Sequence, residues 1–302
     1  MISLSENQLS VLLNVGAMFF LSAMSVALRI LSFELHSTQI VVMRHVWSIA
    51  IVVLWSVWLM RGIPKFHSKR MSGHFWRATF GICAMEMWFY SVSIMNINLA
   101  TALSFTTPIF STIIAITFLG EKAGIRRWSA IVIGFIGMLI ILRPDVSGIS
   151  NAGWIVIGAS LLMACSGAMV KGLTSSESPE TIVFYMSIFM LLWSIPVAIP
   201  FWQPFTLQQM GMAFIIALCS TIAHLCIARA LIKTELVVFA PFDFTRLVFT
   251  AVLAYIFLGE TIDAHTITGS TVIIASSIYI AYREAKLKKV ASLKEKAISP
   301  IQ

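Results

Sequence analysis

The chain of 302 residues is 59% apolar and only 11% charged, with a mean hydropathy of +0.91 and a formal net charge of +8. Soluble domains carry about 25% charged residues, so this composition excludes a soluble globule. The surplus of bases follows a membrane-side bias set out below and gives no reason to expect a nucleic-acid partner.

Ten apolar stretches, each near the length that crosses a ~30 Å hydrocarbon core, are read at 9–30, 38–60, 76–95, 99–119, 128–143, 152–171, 181–201, 208–231, 236–258 and 265–282. Their connections are short, which leaves no room for an inserted soluble domain. The first stretch is too long for a signal-peptide core and is preceded by Glu6 without Lys or Arg, so it is expected to stay as a span. Arg29 stands near its end and can snorkel to the interface.

In the second span Arg44 lies about a turn and a half inside. It is expected to bind a substrate carboxylate, lock the outer gate or pair with another helix. The adjacent His45, like His224 in the eighth span, reads as a packed core histidine. Glu86 sits near the middle of the third span with no base one turn away. It must be protonated, paired with another helix or exposed to a wet cavity, since ionisable groups in hydrocarbon cost at least ~2.5–3.5 kcal/mol. That suits proton coupling or a cationic group of a substrate; the alternative is a structural partner for Arg44 or Arg246. Tyr90 and Ser93 follow on the same face.

The fourth span carries Phe105 and Pro108. The ninth carries Pro241, Asp243 and Arg246, with the last two adjacent on one helical face. A proline removes a backbone donor, so both spans are expected to bend, and bent helices beside charged groups are where transporter sites form. Asp243 and Arg246 read either as an intrahelical pair or as substrate contacts. Arg229 lies close to the end of the eighth span and reads as an anchor. Cys83, Cys165, Cys219 and Cys226 fall inside apolar segments without CxxC spacing, so neither disulfides nor a metal site is expected.

With the N-terminus inside, Arg61, Lys65, Lys69, Arg70, Arg77, Lys122, Arg126, Arg127, Lys171, Lys233 and the bases of the tail from Arg283 all fall on the cytoplasmic side. Arg143 alone is external. The bias of bases toward the cytoplasm places both termini there. The basic tail reads as a solvated segment near anionic lipid.

The chain repeats itself. Phe118-Leu119-Gly120-Glu121 recurs as Phe257-Leu258-Gly259-Glu260, and at the same offset of 139 Phe105, Thr106, Phe110 and Ala115 match Phe244, Thr245, Phe249 and Ala254. An offset of 142 aligns Gln39-Ile40-Val41 with Thr181-Ile182-Val183 and Arg29 with Lys171. Two copies of an odd number of spans must lie inverted, an architecture of secondary transporters. The expected organisation is a first five-helix repeat over 1–145, an inverted second over 146–282 and a basic cytoplasmic tail over 283–302.

Several motifs carry a family resemblance: Met43-Arg44, Ala102-Leu103-Ser104-Phe105-Thr106-Thr107-Pro108 leading to Leu119-Gly120-Glu121, Arg127-Trp128, Gly134-Phe135-Ile136-Gly137 and Leu142-Arg143-Pro144. In the second half they continue through Ala240-Pro241-Phe242-Asp243-Phe244-Thr245-Arg246-Leu247 to Gly259-Glu260. In their order and spacing the chain resembles the EamA-type members of the drug/metabolite transporter superfamily. The resemblance implies an all-α membrane protein of ten transmembrane helices, arranged as two inverted five-helix repeats around a central cavity. Helices three, four, eight and nine would face the cavity and helices one and six would gate it. Relatives of this kind carry amino acids, S-adenosylmethionine, riboflavin or metallophores.

The resulting expectation is a multi-pass carrier of the bacterial inner membrane, monomer or homodimer, without cofactor or metal. Its cargo would be a small polar metabolite, with an S-adenosylmethionine-like or amino-acid-like zwitterion favoured because Glu86 and Asp243 balance Arg44 and Arg246. Riboflavin or another exported metabolite or drug is the alternative cargo. Protons, a counter-substrate or the cargo gradient would supply energy, since there is no Walker A sequence. The substrate contacts expected are Arg44, Glu86, Tyr90, Phe105, Asp243 and Arg246, with Pro108 and Pro241 as hinges. An intramembrane enzyme finds no HExxH or GxSxG, and a channel finds no repeated filter motif.

Overall fold

The computed structural model describes residues 6–60, 66–118, 151–233 and 245–272, together with several helical positions within 129–140 and 274–279. Its helices are α1 (Glu6–Leu31), α2 (Ser37–Met60), α3 (Met71–Ile94), α4 (Ile97–Ser104), α5 (Thr107–Phe118), α6 (Asn151–Leu173), α7 (Pro179–Ala198), α8 (Leu207–Lys233) and α9 (Thr245–Leu258). A 3-10 turn, Ile199–Phe201, prolongs α7. No strand occurs among the described residues. Among the described residues, five helices hold apolar runs long enough to cross a bilayer: Leu12–Leu31, Ser37–Trp58, Asn151–Val170, Pro179–Phe201 and Leu207–Ala230. α3 is also 24 residues long but is less apolar, because His74, Arg77 and Glu86 lie in it.

The fourth span is two helices. α4 starts where Asn96 accepts the backbone N–H groups of Asn98 and Leu99, as an N-cap does. It stops at Phe105 and Thr106, where the Thr106 N–H and hydroxyl both turn back to the Leu103 carbonyl at 3.1 and 2.8 Å. Pro108 then falls in the first turn of α5. A proline there has no N–H to give to Ser104 four residues back, which is why the helix breaks before it rather than after.

Packing relates the halves by exchange. α1 lies along α8, and α6 lies along α3 in the same way. α1 packs on α9 as α6 packs on α4 and α5; α2 meets α8 as α7 meets α3; and α2 and α7 pack on one another. Each contact recurs with first and second repeats swapped, as a two-fold relation requires. With a cross-chain repeat and an odd number of spans, the chain is an all-α, multi-pass membrane protein of two inverted repeats.

Small residues let the helices approach. Ala17 of α1 and Ala223 of α8 are fully buried against one another's neighbourhood beside Met18. Without a hydrophobic drive between helices in lipid, such close packing is a main source of association. Gly81 of α3 serves the same end, since a Cβ there would collide with the Met190 methyl of α7 and crowd Ser166 Oγ of α6.

The two ends are each tied across the repeats. At one end the Gln39 side chain donates to the Gln203 carbonyl (2.8 Å) and accepts the Gln203 N–H (3.1 Å), and His36 stacks on Phe201. At the other, Ser68 donates to Glu177 (2.8 Å), Arg70 to the Gly172 carbonyl (3.0 Å) and Tyr185 to the Phe66 carbonyl (2.8 Å). Residues 32–36, 95–96, 199–206 and 259–263 therefore share one end, and 66–70 and 174–178 the other, as alternating spans demand.

Candidate functional site

Glu86 lies eight residues from the end of α3, and both of its carboxylate oxygens are buried without a hydrogen-bond partner among the described residues. The pairing with Arg44 or Arg246 that the sequence allowed is not formed. Tyr90, one turn on, is 44% exposed, so the ring that shares the face of Glu86 is not sealed in the core. Ser93 turns its hydroxyl back to the Tyr90 carbonyl at 2.7 Å.

Arg44 is 1% exposed and meets no acid among the described residues. Its Nε donates to Ser220 Oγ of α8 at 2.9 Å, and its Nη1 reaches His45 Nε2 at 3.3 Å and Met85 Sδ of α3 at 2.6 Å. His224 donates from Nδ1 to the Ser220 carbonyl at 2.7 Å. Both histidines are packed as expected, but they are packed around the Arg44 guanidinium rather than in inert core. An arginine buried this deeply is costly unless its donors are satisfied, and here neutral acceptors do that work in part.

Arg246 is held between α1 and α3. Its Nη2 donates to Ser25 Oγ at 3.3 Å and its guanidinium lies 4.9 Å from the centre of the Trp88 ring, a cation–π distance. The backbone there is also tied: Ser22 donates to the Arg246 carbonyl at 3.0 Å and receives the Thr250 hydroxyl at 3.0 Å. Trp88 is two residues beyond Glu86, so α3 carries both to the same level of the membrane. Phe105 sits at the α4–α5 break, 5% exposed. Asp243 and Pro241 lie outside the described residues.

A cavity of ≈420 Å³ opens at that break, between Thr106 of the break, Ile109 and Phe110 of α5 and Trp154 and Ile157 of α6, and its exposed lining is apolar. It offers no charge to a polar cargo; the buried charges of the first repeat, Arg44, Arg77 and Glu86, lie instead on α2 and α3, with Arg246 on α9. No cluster of His, Cys, Asp or Glu able to hold a metal occurs among the described residues.

Two sets of residues have surroundings that their sequence context does not show. Arg77 falls among the cytoplasmic bases in sequence, yet it is 5% exposed inside α3, and its Nε and Nη1 have no hydrogen-bond partner among the described residues. Its place beside Lys69 and Arg70 made it read as a loop charge. The second set is the repeated Gly-Glu. Gly259 ends α9 with φ of +68°, its N–H to the Tyr255 carbonyl and the Glu260 N–H to the Ala254 carbonyl. That left-handed turn is one glycine adopts without strain. It throws Glu260 onto α4, where Oε2 accepts the Ile97 N–H at 2.9 Å, and toward Arg29, whose Nε is 3.7 Å from Oε1. Arg29 also donates to the Val92 and Ser93 carbonyls. The motif is therefore a clasp that joins α9, α4, α3 and α1 at one end. Its counterpart Gly120-Glu121 lies outside the described residues. Arg229, read as an anchor, pairs with Glu180 at 2.7 Å near the other end.

Two inverted repeats exchanging contacts, a broken fourth span and buried charges at mid-depth define a secondary carrier fold. The chain belongs to the EamA-like transporter family, whose model matches residues 8–143 and again 151–282. It is 28% identical over 265 residues to the S-adenosylmethionine uptake transporter of Rickettsia bellii (strain RML369-C), covering 88% of this chain and 90% of that one. It is 28% identical over 259 residues to the riboflavin transporter of Vibrio cholerae serotype O1, covering 85% and 86%. The pseudopaline exporter CntI of Pseudomonas aeruginosa is 26% identical over 283 residues, covering 90% and 95%. A crystallographically solved chain with a TM-score of 0.66 and 10% identity, covering 91% of this chain and 98% of its own, shares the fold.

Proposed function

We propose that this protein is a secondary carrier that moves a small organic zwitterion, S-adenosylmethionine-like or amino-acid-like, across the bacterial inner membrane by alternating access. The observation that carries the proposal is the unspent carboxylate of Glu86. A buried acid and buried bases that do not neutralise one another call for a cargo with both charges. S-adenosylmethionine has an ammonium, a sulfonium and a carboxylate; the relatives named for its uptake support that cargo. Glu86 would take a cationic group, with Tyr90, Phe105, Arg44, Asp243 and Arg246 completing the contacts, and Pro108 and Pro241 would give the fourth and ninth spans their hinges. The repeats 1–145 and 146–282 would rock about this level, driven by protons, a counter-substrate or the cargo gradient. The bias of bases supports cytoplasmic termini, and the protein would work as a monomer or homodimer.

Riboflavin is the second reading, favoured by the named riboflavin transporters among the relatives. Its uncharged ring system would leave Glu86 and Arg44 without an opposite charge, so it ranks behind. The test is uptake of labelled S-adenosylmethionine by vesicles bearing the protein, in competition with S-adenosylhomocysteine, which lacks the sulfonium charge, and with riboflavin. The proposal expects saturable uptake, weaker competition by S-adenosylhomocysteine and none by riboflavin. Competition by riboflavin alone would replace the zwitterion with the second reading.

A further inference from the structure

We infer that Arg77 and Arg44, with His45, Ser220 and His224 around them, form a binding site for a small organic carboxylate at the interface of α2, α3 and α8. This rests on the carrier reading above and supplies the anionic pole of the cargo that Glu86 cannot hold.

The local inventory of donors and acceptors does not balance. Arg44 gives Nε to Ser220 and Nη1 to His45 and Met85, all of them neutral. Because His45 Nε2 faces that guanidinium, it is the acceptor, and the ring proton must sit on Nδ1. That Nδ1 has no partner among the described residues. Arg77 Nε and Nη1 have none either, although the residue is 5% exposed. Ser166 fixes the backbone of Arg77 by donating to its carbonyl at 3.2 Å and does nothing for its charge. Three nitrogens in one buried neighbourhood thus have hydrogens to give and no oxygen to receive them.

Arg77 stands eight residues, about 12 Å, before Met85 on α3, the residue against which Arg44 lies. Like charges buried together repel, and nothing among the described residues compensates. Glu86 is not the missing anion: its oxygens touch no donor, and it leaves α3 about 100° round from Met85, against which Arg44 lies. Ser48, one turn from Arg44 on α2, adds a hydroxyl that also lacks a partner among the described residues. A guanidinium fork suits a planar carboxylate, and hydroxyls complete its lone pairs. The site is asymmetric in a way that matters. A carboxylate near Arg44 and a cation at Glu86 would lie on adjacent faces of α3, about 100° apart, so one molecule would reach round the same helix.

The test compares S-adenosylmethionine with its decarboxylated form, which keeps both positive centres and loses the anion, by titration calorimetry on the full chain in lipid nanodiscs. The expected result is about 100-fold weaker binding of the decarboxylated ligand, the scale of a charge-assisted contact. Arg77→Gln should weaken the parent ligand by a similar factor and leave the decarboxylated one unchanged. Arg77→Lys, which keeps the charge and so guards against a folding failure, should give an intermediate loss for the parent alone. Equal affinity of both ligands for the unmodified protein overturns the site. If neither ligand binds, the cargo reading has failed, and acetate decides the site on its own. Acetate that raises the unfolding temperature of the unmodified protein, but not of Arg77→Gln, at constant ionic strength sustains a carboxylate site. No shift with acetate, or an equal shift with chloride, overturns it.

Discussion

The two repeats are alike in how they pack and unlike in what they carry. Helix contacts of the first recur in the second, but the ionisable residues do not. At an offset of 142 Arg44 falls on Met186, which is 2% exposed and apolar. Offsets of 139 to 142 put Glu86 on Leu225, Cys226, Ile227 or Ala228, and Arg77 on Ile216, Ala217, Leu218 or Cys219. Arg44, Arg77 and Glu86 all belong to α2 and α3, while α7 and α8 answer with methionines, alanines and the hydroxyl and imidazole of Ser220 and His224. On the proposed function the backbone symmetry would serve the exchange of inward and outward states, and the asymmetry of charge would serve recognition, since a cargo with distinct ends needs a site with distinct ends.

The largest effect expected from this contrast is at Glu86. Glu86→Gln keeps shape and removes charge, so uptake should fall about 10- to 100-fold at normal expression, the worth of one charge-assisted contact. Near-normal uptake would reduce Glu86 to packing and dissolve the contrast. The mirror test is Met186→Leu, a volume-conserving change of under about 1.5 kcal/mol that should leave the affinity for cargo as it was. A tenfold loss of affinity there would show that the second repeat reads the cargo as well.

The Gly-Glu clasp separates the repeats differently, because its sequence motif occurs in both halves. Glu260→Ala removes the carboxylate that accepts the Ile97 N–H and should destabilise the protein by about 0.5–2 kcal/mol, the usual range for a lost N-cap, measured by thermal unfolding in nanodiscs. Gly259→Ala forces a side chain into the left-handed region and should cost about 1 kcal/mol. Uptake affinity should survive both, which would mark the clasp as scaffold. A loss of affinity with unchanged stability would instead tie it to the cargo path. The smallest effect belongs to Arg229 and Glu180. Arg229 is 38% exposed, so a double-mutant cycle should give a coupling of only about 0–1 kcal/mol.

Much of the scaffold was legible in the sequence because its causes are local. Apolar runs mark the spans, the recurrence of Phe-Leu-Gly-Glu marks the duplication, and Pro108 marks the break of the fourth span at Phe105 and Thr106. Glu86 was legible for the same reason, as an acid standing alone in hydrocarbon. What was not legible depends on partners far along the chain. Ile97 is 163 residues from Glu260, so nothing in the repeated motif named its target. Arg77 stands one residue inside an apolar run and close to loop bases, and its burial depends on helices far along the chain, such as α6, whose Ser166 reaches the Arg77 carbonyl. The histidines looked inert until α8 brought Ser220 and His224 against Arg44.

Counterflow in proteoliposomes preloaded with unlabelled S-adenosylmethionine tests the central claim most directly. The account predicts trans-stimulated accumulation of the labelled compound, abolished when the interior is empty and strongly reduced by Glu86→Gln. Silence from a verified reconstitution, with or without an imposed proton gradient, would contradict a carrier for this zwitterion.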